Sequence, residues 1–172
     1  NDLIIDKNNK LAKVDKIDLD YLDNDNFKNK FIVNRTKNND YVLKGSLLNA
    51  NTIITKLLES KDDQQLDLLK ENINISLNFS DVYLDNEYVV KNLNGKLQII
   101  DNKVDQAYIS ALFEDNKDFK FSINTKDGEK ITTLYSSKAR PFVKKYKFIK
   151  GFEDSDEGYL DFYSSKKDGI SN

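Results

Sequence analysis

Ile73, Ile75, Leu77 and Phe79 alternate with Asn74, Ser76 and Asn78, and this period of two is the strongest constraint in the chain. An extended strand points successive side chains to opposite faces, so this segment has one apolar and one polar face. The same alternation sets Ile17, Leu19 and Tyr21 between aspartates and lysines. It continues at Phe31 and Val33, then at Tyr41, Leu43, Gly45 and Leu47. Leu93, Gly95, Leu97 and Ile99 lead through the turn Asp101-Asn102-Lys103 into a strand near Val104–Phe113. Phe119, Phe121 and Ile123 precede Lys126-Asp127-Gly128, which reads as a hairpin turn into the strand Glu129–Leu134. The last strand is Gly158–Ser164. A wet opposite face fits antiparallel sheet, and short turns suggest a meander.

Two segments depart from this period. From Asn51 to about Ser60, Ile53, Ile54, Leu57 and Leu58 follow helical spacing, with Asn51 placed to cap. From Ser137 to Tyr146, Phe142, Val143 and Tyr146 form one helical stripe. Ser136 or Ser137 can cap that stripe, and Pro141 then falls in its first turn. The stretch Glu59–Leu69 fits a loop or a continued helix. The expected class is mainly β with two short helices (α+β), built on a twisted antiparallel sheet. With 172 residues and no Pro/Gly/Ser linker, one unit spans residues 1–172.

Composition narrows the chemistry. There is no cysteine, which excludes disulfides and thiolate metal sites, and no histidine, the commonest general base and metal ligand. A net charge of −2 gives no basic field for nucleic acid. No apolar run approaches the ~18 residues of a membrane-spanning helix.

Asp18 and Asp20 lie on the polar side of a strand and read as a solvated face. In the acidic run Glu153–Glu157, Gly158 falls at position five from Asp154 and Ser165 at twelve, so the calcium-loop pattern fails. No glycine-rich phosphate loop is present. A serine nucleophile would need lysine as its base, and no Ser-x-x-Lys stands in a suggestive context. No metal ligands, cofactor or enzymatic activity are therefore expected. Lys144, Lys145, Lys147 and Lys150, interleaved with Tyr146 and Phe148, read either as an exposed helix end or as contacts for anionic head groups.

The apolar strand faces admit two readings. They pack on the helices as an ordinary core, or they line a groove. Leaving a large apolar side chain in water forfeits roughly 1.5–3 kcal/mol, so an open face needs a partner, a further segment or lipid to cover it.

The C-terminal order bears on that choice. Ile131–Leu134 is followed by Ser136-Ser137-Lys138-Ala139, the helical stripe ending near Tyr146, Phe148-Ile149-Lys150-Gly151-Phe152, and Gly158-Tyr159-Leu160-Asp161-Phe162-Tyr163-Ser164. Upstream stands Tyr41-Val42-Leu43-Lys44-Gly45-Ser46-Leu47-Leu48-Asn49-Ala50. This succession resembles the C-terminal region of AsmA-like proteins, the group that includes YhdP and TamB relatives. The resemblance covers about Tyr41–Ser171 and rests on order and a few small residues. Asn49 stands where the family commonly has aspartate, and the acidic run lengthens the final hairpin.

The resemblance implies an elongated, twisted β-groove, anchored in the inner membrane and extending through the periplasm. Relatives are implicated in moving phospholipid between membranes or in outer-membrane biogenesis. Acyl chains would slide along an apolar trough while head groups stay in water. The trough candidates are Ile73, Ile75, Leu77, Phe79, Leu97 and Ile99, and the head-group candidates are Lys144, Lys145 and Lys147. The resemblance also implies that this is a fragment, lacking the N-terminal anchor and the long β-region, with the two helices capping the groove's apolar end. The competing reading is a structural or adhesive β-domain of the cell envelope that binds no lipid. A hydrolase built on two carboxylates is the third.

Overall fold

The computed structural model describes residues 3–5, 11–36, 40–51, 72–101, 103–146, 158–167 and 170–171. Among the described residues, twelve strands and one helix follow in order. The first five strands are β1 (Leu3–Ile5), β2 (Leu11–Val14), β3 (Lys16–Leu22), β4 (Lys28–Arg35) and β5 (Asp40–Asn49). The next five are β6 (Ile73–Tyr83), β7 (Val89–Ile100), β8 (Lys103–Phe113), β9 (Asp118–Lys126) and β10 (Glu129–Ser136). Helix α1 (Arg140–Tyr146) precedes β11 (Leu160–Lys167) and β12 (Ile170–Ser171). β1 and β2 form a separate hairpin, which the sequence reading missed because such short strands carry too few residues to show a period.

All remaining strands join one open sheet in sequence order, from β3 at one edge to β12 at the other. The meander expectation therefore holds for order. It fails at one joint: β5 and β6 run parallel, so the sheet is mixed. Parallel neighbours need a long crossover, and the 23 residues between Asn49 and Ile73 are enough for one. The turn Asp127-Gly128 has positive φ at both residues (53° and 75°), the geometry of a two-residue hairpin whose twist matches its strands.

Of the two expected helices, one falls among the described residues. Among the described residues the one helix is α1, of seven residues. The helix expected from Asn51 to about Ser60 lies, beyond Asn51, outside the described residues, as do Glu59–Leu69 and Glu153–Glu157. The described residues are mainly β. α1 is also shorter than its stripe. Ser137 N donates to Asp118 O at 2.9 Å and Ala139 N to Gly158 O at 2.8 Å, which holds this segment out of the helix. Neither serine caps the helix, because the Ser136 hydroxyl is engaged with the backbone of Lys138. The Ala139 carbonyl instead accepts from Phe142 N and Val143 N. Pro141 sits in the first turn, where its missing N–H costs no helical bond.

Two clusters form the core. The larger gathers Phe79, Val82, Leu84, Val90, Leu93, Ala111, Phe113, Phe119 and Leu134, and α1 adds Phe142. The Phe142 ring stacks on Phe119, centroids 5.6 Å apart. The smaller cluster gathers Tyr41, Ile73 and Ile99.

Candidate functional site

Strand register turns separate alternations into continuous rows. Ile17, Val33, Leu43, Leu77, Gly95, Ile109, Phe121, Leu134 and Phe162 are successive partners across nine strands, from β3 to β11. Directly opposed residues share a face, so this row is one apolar band running across the strands. Eight interstrand spacings give it a length of roughly 38 Å before twist. One residue along, the row is Asp18, Ile32, Lys44, Asn78, Asn94, Ser110, Lys120, Tyr135 and Asp161. The sheet thus has an apolar and a polar side over its whole width.

The six trough candidates all fall on the apolar side. Ile73 opposes Ile99, Ile75 opposes Leu97, Leu77 opposes Gly95, and Phe79 opposes Leu93. They differ in burial. Ile73, Phe79 and Ile99 are buried, whereas Ile75, Leu77 and Leu97 are half-buried. Ile17, Val33, Leu43, Ile109 and Phe121 are also half-buried and complete the band. These five escaped sequence reading as site residues because only register shows which strand's apolar residues meet which.

Two glycines shape the face. A Cβ at Gly95 would meet Ile109 Cγ1 at 3.1 Å and Leu77 Cδ1 at 3.3 Å, so those side chains close over a dip in the band. A Cβ at Gly45 would press on the Lys30 carbonyl and on Phe31, with Phe31 Cα at 2.8 Å. Gly45 lies between Phe31 and Phe79 in the rows, and its bare backbone lets those rings meet edge to face at 5.8 Å.

The electrostatics belong to the polar side and the turns. Asp20 sits 3.3 Å from the Lys28 ammonium and 3.5 Å from that of Lys30. The hydrogen bond from Lys28 leads in holding its carboxyl below the usual range. Asp18 is exposed beside it. Burial pushes the Asp115 carboxyl up, but Lys138 at 3.3 Å and Lys117 at 3.4 Å outweigh it and the net shift is down.

A third acid, Asp23, organises the β3–β4 turn. Its carboxylate accepts from Asn49 Nδ2 at 2.7 Å, Asn29 Nδ2 at 3.1 Å and the backbone N–H groups of Asp25 and Phe27 at 3.0 Å. The Asn49 bond is the leading cause of its lowered pKa. Asn29 Oδ1 in turn accepts from Asn49 N at 2.8 Å, and both asparagines are buried. Asn49, the residue that departs from the resembled pattern, is therefore a donor to a carboxylate, a role an ionised aspartate could not fill.

Lys144 and Lys145 lie in α1 with side chains outside the described set, and Lys147 lies outside the described residues. Among the described residues, no three acids or other ligand side chains gather as a metal site. No described helix is long and apolar enough to cross a membrane. The chain matches no family model, no curated protein and no solved structure.

Proposed function

We propose that this chain is a non-enzymatic segment of a bacterial envelope protein that holds phospholipid acyl chains on its apolar β-face. One observation carries the reading: the band from Ile17 to Phe162 is continuous across nine strands, faces away from the polar rows and is half-buried from Ile17 to Phe121. Ordinary core residues close completely, whereas half-buried Ile75, Leu77, Leu97, Ile109 and Phe121 keep apolar area to bury. An acyl chain laid along the row would meet one such side chain per strand. The head group would stay in water, where Lys144, Lys145 and Lys147 are candidate contacts. In this reading the segment serves phospholipid movement between membranes or outer-membrane biogenesis. It sits in the periplasm, continues into the rest of a β-groove, and is held at the inner membrane by an anchor beyond this chain. No cofactor or nucleic acid takes part.

The test is native mass spectrometry of the chain after mild extraction from a bacterial host, with lipid analysis of any adduct. Phospholipid masses are expected on the wild type and should fall in a Leu77→Lys, Leu97→Lys double variant. A clean protein mass from membrane-exposed preparations contradicts the proposal.

A structural or adhesive β-domain is the second reading. It is favoured by the full burial of Phe79, Val82, Val90 and Phe113 in one cluster, to which α1 adds Phe142. Leu43, Leu77, Ile109 and Phe121 pack against that cluster, and Ile17, Val33 and Ile75 against the smaller one, but each keeps part of its surface open.

A further inference from the structure

The polar side carries a feature that lipid holding does not use. Tyr108, Ser122, Thr133 and Tyr163 are successive partners across β8, β9, β10 and β11. Beside them runs the row Ser110, Lys120, Tyr135 and Asp161. Tyr108, Tyr135 and Tyr163 are 52%, 37% and 64% exposed, on a face that otherwise presents Asn, Ser and Lys. Tyr159, 73% exposed, sets its ring 6.5 Å from that of Tyr135. Tyr108, Ser110, Lys120, Ser122, Thr133, Tyr135 and Asp161, with Ile109 and Phe121, line a shallow, open depression of about 470 Å³.

The geometry points to a binding site for a neutral oligosaccharide on this patch, with the tyrosine rings as stacking surfaces and the hydroxyl floor as hydrogen-bonding partner. Tyr108 and Tyr163 stand three interstrand spacings apart, roughly 14 Å. Between them the Ser122 and Thr133 hydroxyls share one hydrogen bond at 2.7 Å. Two hydroxyls hold two protons, so one remains to donate to a third group. Exposed tyrosine gives wide, rigid, amphipathic contact at little entropic cost. A sugar ring matches that pairing, because its C–H faces stack on aromatic carbon while its rim of hydroxyls meets Ser, Thr, Lys and Asp. The charges balance, with Lys120 paired to Asp118 at 3.0 Å and Asp161 in the same row as Lys120. That balance disfavours a nucleic acid strand, which would also stack on tyrosine but requires a positive groove. Oligosaccharide recognition on an exposed sheet face has precedent in small β-barrels.

The experiment is a titration of the isotope-labelled full chain with maltotriose, cellotriose and triacetylchitotriose, followed by backbone amide shifts. At least one of these probes is expected to shift residues 108–110, 120–122, 133–135 and 161–163 saturably. Tyr135→Ala and Tyr163→Ala should each weaken that binding by about tenfold or more, as truncated aromatic hot spots do. Both side chains are exposed, so both variants should keep the wild-type spectrum elsewhere, and both should keep the phospholipid load, since neither side chain touches the apolar face. The inference is overturned if none of the three sugars gives a saturable shift, if the response survives both substitutions, or if zwitterionic phospholipid vesicles move these residues instead.

Discussion

The same apolar face behaves differently at its two ends. Val90, Phe79, Val82 and Phe113 are between 0% and 2% exposed, in one cluster with Phe119 and the Phe142 ring stacked on it. Along the Ile17–Phe162 row, Ile17, Val33, Leu43, Leu77, Ile109 and Phe121 remain half-buried, while Leu134 is buried and Phe162 exposed. Alternation therefore fixes which side a residue faces, and the opposing element decides whether that side closes. The closed end gives stability, and the band is where a ligand can still gain from burial.

Substitutions can break this contrast. The largest effect is expected at the closed end. Phe79→Ala or Phe113→Ala removes a fully enclosed ring and should cost about 3–5 kcal/mol in denaturant unfolding, whereas Leu77→Ala or Leu97→Ala should cost less than about 2 kcal/mol. Equal losses at both places would erase the distinction between core and band.

The glycines sharpen it next. Gly45→Ala forces Cβ into backbone at Lys30 and Phe31 and should cost about 3 kcal/mol. Gly95→Ala meets Ile109 Cγ1, the Tyr108 carbonyl and Leu77 Cδ1 at 3.1–3.3 Å, looser than the contacts at Gly45, so its thermal midpoint should fall less, while lipid load falls as the dip fills.

At the far edge of the sheet, the polar pin gives a smaller and pH-dependent effect. Asn49→Asp sets a carboxylate against Asp23 and removes a donor. It should destabilise at pH 7 and recover part of that loss near pH 4, where one carboxyl of the pair takes up a proton. The smallest effect concerns the wild type. The carboxyls of Asp20, Asp23 and Asp115 are held below the usual carboxylate range by their hydrogen-bonding and lysine partners. Their contribution is fully present above the unfolded carboxylate value and is lost as pH falls through the folded one. Melting temperature should therefore be flat from pH 7 to 5 and drop below pH 4, and Asp23→Asn should flatten that drop.

Much of the sheet is legible in the residues themselves. β6, β8 and the β9–β10 hairpin follow from alternation and from Asp127-Gly128, because these are local signals. The parallel joint between β5 and β6 is not legible, since strand direction depends on a connection and not on side-chain period. Ser137–Ala139 stays out of the helix through backbone bonds to Asp118 and Gly158, partners distant in sequence. The same limit governs the site. Ile75, Leu77 and Leu97 can be named from their own strands. Their continuity with Ile17, Val33, Ile109 and Phe121 rests on register, and the Asp23–Asn29–Asn49 pin rests on a turn meeting a strand end 26 residues away.

The most direct test of the lipid-holding band is site-specific photo-crosslinking in bacteria. A photoreactive residue is placed in turn at Leu77, Leu97 and Ile109 in the band, at Val90 in the closed end, and at Asn78 on the polar side, and the adducts are analysed for phospholipid. Adducts are expected at the three band positions and not at Val90 or Asn78. Adducts spread evenly over all five positions, or absent from all of them, would contradict the account.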